Sequence, residues 1–317
     1  MTRVLVSGAT GFVGTVLCET LVRSGYIVRA AVRTEGPASA FIAEQCQIGD
    51  IGETTDWSGA LVDVDYVVHL AARVHMLRDV AANSRLYHET NVLGTQQLVR
   101  SAVKAGVRRF VHLSSVKVNG EQTTMRPYAA SDEPHPADAY GVSKCLSEAA
   151  VREASAGTSL EAAIVRPPLV YGPGVRANFL RLMKWVAEEW PLPLGRVENQ
   201  RSLVSVWNLC ALLEELLRNP NAPGQAWMVS DGEDVSTPEL IRRLATAMGR
   251  RARLLPVPVV ALRLAGLLTG RTAEVSRLCG SLVVDSATTC ERLGWLPPTS
   301  MDEALARTAR WYLSGHA

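Results

Sequence analysis

Val4-Leu5-Val6-Ser7-Gly8-Ala9-Thr10-Gly11-Phe12-Val13-Gly14 is the stretch around which the chain is organised. A short apolar, β-branched run opens a strand, and glycines spaced G-x-x-G-x-x-G then break it. Val13, Val16, Leu17 and Leu21 continue on one helical face, with Glu19 and Arg23 on the other, and Gly25 stands where a glycine closes a helix. Strand, tight turn and helix N-terminus in that order aim backbone N–H groups and a positive helix end at a pyrophosphate. Gly8 would allow the sharp turn, Gly11 a close backbone approach to the ligand, and Gly14 close packing of helix on strand.

Outward from this stretch the pattern repeats. Tyr26–Thr34 reads as a second strand, followed by a loop at Glu35-Gly36-Pro37, and Gln47–Ile51 ends a third. Asp65–Ala72 is a fourth, apolar enough to be buried on both faces of a parallel sheet. One long helix is expected from about Val80 to Lys104, a fifth strand over Arg109–Ser115, a helix over Asp138–Ala156 and a sixth strand over Leu160–Arg166. This alternation predicts an α/β fold, a doubly wound parallel Rossmann sheet, with ligands beyond the carboxyl ends of the strands. From Pro167 the rhythm changes. Prolines cluster, and helices near Ala177–Trp190, Trp207–Arg218, Pro238–Met248, Val259–Leu268 and Met301–Leu313 dominate. The expectation is a dinucleotide-binding domain over 1–166 and a smaller, mainly helical substrate domain over 167–317, with residues near 203–220 able to return to the first.

Composition narrows the function. A chain of 317 residues with 47% hydrophobic and 20% charged residues is globular, and a net charge of +2 does not suggest a nucleic-acid partner. The six cysteines form no C-x-x-C pair, which argues for reduced thiols in a cytoplasmic setting and against zinc. With the first strand beginning almost at once, no signal peptide is expected. The apolar stretch Leu254–Leu268 carries Pro256, Pro258 and Arg263, is too short to span a bilayer, and reads as a buried helix after a proline turn. His69, His75, His88 and His112 show no metal-ligand spacing, and His69 and His112 sit in apolar strands as core histidines.

Three residues carry the chemistry. Ser115 lies at the carboxyl end of the fifth strand, and Tyr140 and Lys144, at i and i+4, share one helix face. A nearby ammonium favours phenolate and is expected to lower the phenol's pKa. Tyr140 is then the general acid or base, Lys144 its electrostatic partner and ribose clamp, and Ser115 a donor to the reacting oxygen.

With these residues in place the chain resembles the extended short-chain dehydrogenase/reductase family, in its nucleotide-sugar branch typified by UDP-galactose 4-epimerase. Thr10-Gly11-Phe12-Val13-Gly14 is similar to the family's cofactor loop, Gly49-Asp50-Ile51 to its adenine-contacting turn, and His69-Leu70-Ala71-Ala72 to its fourth-strand end. Asn91 matches the helix asparagine that supports the active site, and Leu113-Ser114-Ser115 the serine strand. Arg166-Pro167 through Gly174 resembles the entry to the substrate domain, and Leu293-Gly294-Trp295 the C-terminal motif. By the same resemblance Asn178 and Arg201 fall where the branch holds uracil and diphosphate. The helices around 80–104 and 138–156 would form a homodimer contact.

The departures matter too. Asn119 replaces a common tyrosine, and Lys117, just after Ser115, either reaches the sugar or points to solvent. The acidic residue expected to hold the adenosine ribose of NAD is missing after the second strand, where Arg29 and Arg33 stand instead. An arginine there pairs with a 2′-phosphate, so the expected cofactor is NADPH, with NAD the alternative. The leading expectation is therefore reduction of a UDP-4-keto-6-deoxy(-2-acetamido) sugar for surface polysaccharide, with a UDP-hexose 4-epimerase holding NAD as the alternative. A reductase of a non-nucleotide carbonyl and a non-catalytic dinucleotide sensor rank below both.

Overall fold

The computed structural model describes residues 2–34, 36, 42–74 and 80–315. Its strands are β1 (Arg3–Ser7), β2 (Ile27–Val32), β3 (Glu44–Gln47), β4 (Tyr66–His69) and β5 (Arg109–Leu113). They continue with β6 (Glu161–Arg166), β7 (Leu169–Tyr171), β8 (Arg201–Ser205), β9 (Ala226–Met228) and β10 (Asp234–Val235). The helices begin with α1 (Phe12–Arg23), α2 (Val80–Tyr87), α3 (Gly94–Lys104), α4 (Ala139–Ser155) and α5 (Ala177–Ala187). After them come α6 (Val206–Arg218), α7 (Thr237–Ala247), α8 (Val259–Leu268), α9 (Thr272–Cys279), α10 (Ala287–Leu293) and α11 (Met301–Leu313).

Seven strands form one parallel sheet in the order β3-β2-β1-β4-β5-β6-β9. The order reverses between β1 and β4, so a crevice opens beyond their carboxyl ends, where the helices on either side diverge. One face is sealed by α1 and α6, whose Leu17, Leu21, Leu209, Leu213 and Leu216 are buried against Val4, Val6 and Val28. The other is sealed by Leu98, Val99 and Ala102 of α3 and Val151 of α4, packed with Leu5, Val67 and Phe110. Alternate residues of β1 thus enter opposite cores, as the period of a strand requires. Each fully buried leucine contributes ~1.5–3 kcal/mol relative to an exposed one, and this holds the sheet that carries the site.

Beyond residue 167 the chain serves two layers. Both α6 and β9 belong with the large sheet, while β10-β8-β7 form a separate three-stranded sheet. Around that smaller sheet Phe179, Met183, Leu244, Met301 and Leu305 bury a core of their own. Phe12, on the glycine-rich turn, packs against both cores.

Three expectations are corrected. The helix from 80 to 104 is not continuous. A π-helical stretch, His88–Leu93, separates α2 from α3 and carries the buried Asn91. The residue added per π turn is set by tertiary contacts, since a Cβ on Gly94 would come 2.5 Å from Ile51 Cγ2 and Thr95 Oγ1 meets the His69 ring. Such stretches recur at functional sites. The third strand ends at Gln47, and although the Ile48 N–H still donates to the Val32 carbonyl at 2.9 Å, residues 49–51 leave the sheet as a loop. Helix α8 is not buried. Only Gly266 is fully covered, with Val275 pressed against it, while Val259 and Leu262 pack partly buried on the core of the smaller layer. Glu35, Pro37 and His75, named in the sequence reading, lie outside the described residues.

Candidate active site

The glycine-rich turn has the shape its sequence promised. Gly8 adopts φ +74°, and a Cβ there would lie 2.8 Å from the Ala71 amide nitrogen. Gly11 caps α1 in extended conformation with no side-chain hydrogen bond, and no acidic residue stands in the first turn. The first N–H groups of α1 therefore point into the crevice without a side-chain acceptor, as an anion site at a helix N-terminus requires. Gly14 is the tightest position. A Cβ would fall 2.1 Å from the Gly8 carbonyl oxygen and 2.7 Å from Ala9 Cα. Gly14→Ala is expected to lower stability by roughly 1–3 kcal/mol, because both neighbours are backbone and cannot rotate aside. A urea midpoint unchanged from the parent would show that α1 has room to shift.

The other residues expected to meet the cofactor fall on several segments. Thr10 is exposed on the turn, and Val13 is half-buried on α1. The Leu70-Ala71-Ala72 segment leaves β4 half-buried, with the Ala71 N–H donating to Ser7 Oγ at 3.3 Å. Pro167 follows β6 and accepts from the Val116 N–H at 3.0 Å. Asp50 is exposed in its turn, and Ile51 is wedged against Gly94. Asn91 is held hard: its Oδ1 accepts from the Arg73 N–H at 2.8 Å, and its Nδ2 donates to the Arg73 carbonyl and to Ser143 Oγ. That last bond fastens the π-helical stretch to α4, one residue before Lys144.

Helix α4 brings the reactive group together. Ser115 sits just past β5 in extended backbone, and its hydroxyl is hydrogen-bonded to Tyr140. The Tyr140 ring meets Tyr87 edge-on at 5.9 Å. Lys144, only 1% exposed, lies one turn further along, its Nζ 3.4 Å from His112 Nε2. Burial pulls the Lys144 pKa down from 10.5 to about 7, against a smaller opposing pull from Glu148. Tyr140 departs from expectation. Burial, then the Asp138 and Tyr87 groups, push its phenol above the ordinary value, and only the Ser115 hydrogen bond works the other way. The protonated phenol is therefore the resting form, because desolvation outweighs any ammonium effect here.

His69 and His112 stack at 5.4 Å behind this group and are fully buried. His69 Nδ1 meets Ser7 Oγ at 2.6 Å and Nε2 meets Thr95 Oγ1 at 2.9 Å, while His112 Nε2 meets Ser147 Oγ at 2.9 Å. Burial and Lys144 drop the His69 pKa to about 3 and push His112 well down, so both rings stay neutral beside the lysine.

Lys117 takes neither course open to it in the sequence reading. It is paired with Asp138 and, at 3.0 Å, with Glu121. Burial alone would lower its pKa, but these carboxylates raise it. Asp138 Oδ1 also caps α4 by accepting from the Gly141 N–H at 2.7 Å, so Lys117 fixes the end of the helix that bears Tyr140. Glu148 anchors the far side, unforeseen from sequence. Its carboxylate accepts from Ser114 Oγ at 2.6 Å and from Arg166 Nε and Nη2 at 2.8 and 2.7 Å. The signal was present: Tyr140, Lys144 and Glu148 recur every four residues on one face. Asn119, in place of a tyrosine, braces Arg166 at 3.1 Å.

Arg29 in β2 and Arg33 just after it are both engaged. Arg29 spends its donors on Glu44, at 2.6 Å, and on the carbonyls of Ala60 and Val62. Arg33 pairs with Asp50 at 2.9 Å on the surface. On the substrate side, Asn178 is exposed at the start of α5 and accepts from Arg181. Arg201 donates to the carbonyls of Arg277 and Gly280 at 2.9 and 3.3 Å, and among the described residues no carboxylate pairs with it. A guanidinium held on neutral acceptors keeps its charge for an anion.

Residues 4–230 match the NAD dependent epimerase/dehydratase family. The chain belongs to this family. It is 42% identical to UDP-glucose 4-epimerase of Vibrio cholerae, over 99% of this chain and 96% of that protein. Another relative is the N-acetyl-alpha-D-glucosaminyl-diphospho-ditrans,octacis-undecaprenol 4-epimerase of Escherichia coli O157:H7, 29% identical over 98% of this chain and 95% of that one. Among solved structures, MoeE5 in complex with UDP-glucuronic acid and NAD matches with TM-score 0.78 at 26% identity over 99% of both chains. The family membership makes this chain an enzyme of the extended short-chain dehydrogenase/reductase type.

Proposed function

We propose that the chain inverts C4 of a UDP-linked hexose, using NAD retained in the glycine-rich crevice. This replaces the reductase expectation with its alternative. The observation that carries it is the state of Arg29 and Arg33. Arg29 is consumed by Glu44 and two carbonyls, and Arg33 already has a surface partner in Asp50 at 2.9 Å, so neither stands free at rest for a 2′-phosphate. The near-full-length likeness to a UDP-glucose 4-epimerase supports the same reading.

The residues fit the cofactor: the Gly8–Gly14 cradle would hold its pyrophosphate, Asp50 and Ile51 its adenine side, and Tyr140 and Lys144 its ribose. When bound, NAD supplies a hydride acceptor and donor at C4. The protein's own part is the proton and the charge. Once its own proton has left in the loaded complex, Tyr140 receives the O4 proton and returns it, Ser115 holds the same oxygen, and Lys144 stabilises the phenolate before the first transfer and after the second. Arg201 and Asn178 would hold diphosphate and uracil. The exposed pair Val142 and Leu146, one turn apart on α4, supports a homodimer through that helix.

The test is incubation of purified protein with UDP-glucose and no added cofactor, followed by chromatography of the sugar nucleotides. A mixture approaching equilibrium with UDP-galactose is expected, with no net cofactor consumed. NADPH oxidation by a UDP-4-keto-6-deoxy sugar, with no interconversion of UDP-hexoses, would restore the reductase reading.

A further inference from the structure

We propose that helix α8 and the arginine-rich segment around it form a docking surface for an anionic lipid bilayer. Val260, Leu264, Leu267 and Leu268 stand at i, i+4, i+7 and i+8, the spacing of one helical face. In a soluble domain that stripe turns inward. Here it turns outward: these residues are 68, 56, 68 and 86% exposed, and Gly266 alone faces the packed side fully buried.

The surroundings say what covers the stripe. Residues 250–280 carry Arg250, Arg251, Arg253, Arg263, Arg271 and Arg277 against the single acid Glu274, and all six arginines are exposed, with Arg253 paired at 3.3 Å to Glu189 of the neighbouring segment. The whole chain has a net charge of only +2, so the rest of it is net acidic and the positive charge is concentrated in this segment. Leu255, on the way into α8, and Trp190 are also about half exposed. The two segments are joined, since Leu192 N–H donates to the Arg253 carbonyl and Leu255 N–H to that of Leu192, each at 2.8 Å. Leucines flanked by arginines, with a tryptophan nearby, make up the composition of a helix lying in the interface of an anionic membrane.

The other occupants fit less well. A ten-residue helix is ~15 Å long, too short by itself for the roughly 800 Å² per partner of a stable interface between two copies. Clustered arginines on both copies would also repel. No helix of the described residues is long and apolar enough to cross a membrane, so the contact is peripheral. Helix α9 connects the docked helix to the candidate site. Helix α9 packs on α8 and ends at the Arg277 and Gly280 carbonyls that hold Arg201.

Sedimentation with vesicles tests this. The intact protein is expected to pellet with phosphatidylglycerol–phosphatidylcholine vesicles, to pellet far less with phosphatidylcholine alone, and to be released by salt. Leu264→Glu with Leu267→Glu should weaken vesicle binding at least ~10-fold at unchanged Tm, the positions being exposed. Arg263→Glu with Arg271→Glu keeps the leucines and serves should the first variant misfold. It should weaken binding by about 5-fold or more per site. Three results would overturn the proposal: no pelleting with anionic vesicles, equal binding to neutral ones, or full binding by both variants. An oligomer that the leucine variant dissociates, without vesicle binding by the parent, would make α8 a contact between copies and equally end the proposal.

Discussion

Tyr140→Phe is expected to lower kcat for UDP-hexose interconversion by ~10²–10⁴-fold, the usual contribution of a positioned acid or base. The ring should stay in place, because its edge contact with Tyr87 and its position on α4 do not depend on the hydroxyl. What is lost is the oxygen hydrogen-bonded to Ser115. Burial keeps that phenol protonated at rest, so its proton has to leave only in the reacting complex, and Phe offers no substitute. Cofactor content and Tm should hold near the parent values. Turnover within tenfold of the parent, at equal cofactor content, would remove Tyr140 from the acid–base role.

Lys144→Met should cut turnover by roughly 10²-fold, the order for losing one charge-stabilising donor, and yet raise the Tm of the cofactor-free protein. The lysine is 1% exposed, and burial holds its pKa near 7 instead of 10.5. Below pH 7 both folded and unfolded chains carry the charge, and the folded state bears the full cost of burying it. Between pH 7 and 10.5 the unfolded chain binds the extra proton, so stability from this group rises with pH, and above 10.5 the cost is gone. Methionine fills similar space without charge, and His112 keeps its bond to Ser147. The gain should therefore be on the order of a few kcal/mol at pH 6 and shrink toward pH 10. Thermal melts at pH 6 and pH 9.5 give the answer. A Tm difference that does not change with pH would mean that the buried charge is not its source.

The two predictions divide along the line between what is written locally and what is not. The doubly wound sheet, the glycine turn and the shared face of Tyr140 and Lys144 all follow from the sequence. They rest on strand and helix periods and on short spacings, which survive in any tertiary setting. The two neutral histidines were legible for the same reason, each standing inside an apolar strand. What the sequence could not decide is how far water is excluded and which charge meets which. The Tyr140 phenol rises because burial outweighs the ammonium four residues away, and burial is a property of the assembled fold. Arg29 and Arg33 looked free for a phosphate because their acceptors, Glu44, Ala60, Val62 and Asp50, lie on other segments. Lys117 is claimed by Asp138, 21 positions on, and Glu148 reaches Arg166 across a strand. Helix α8 shows the same limit: the apolar stretch after its prolines reads as a helix, but only the packed structure decided that Leu264, Leu267 and Leu268 stand exposed while Leu262 packs inward. Periodicity is a one-dimensional signal, whereas desolvation and long-range pairing exist only once distant segments have met.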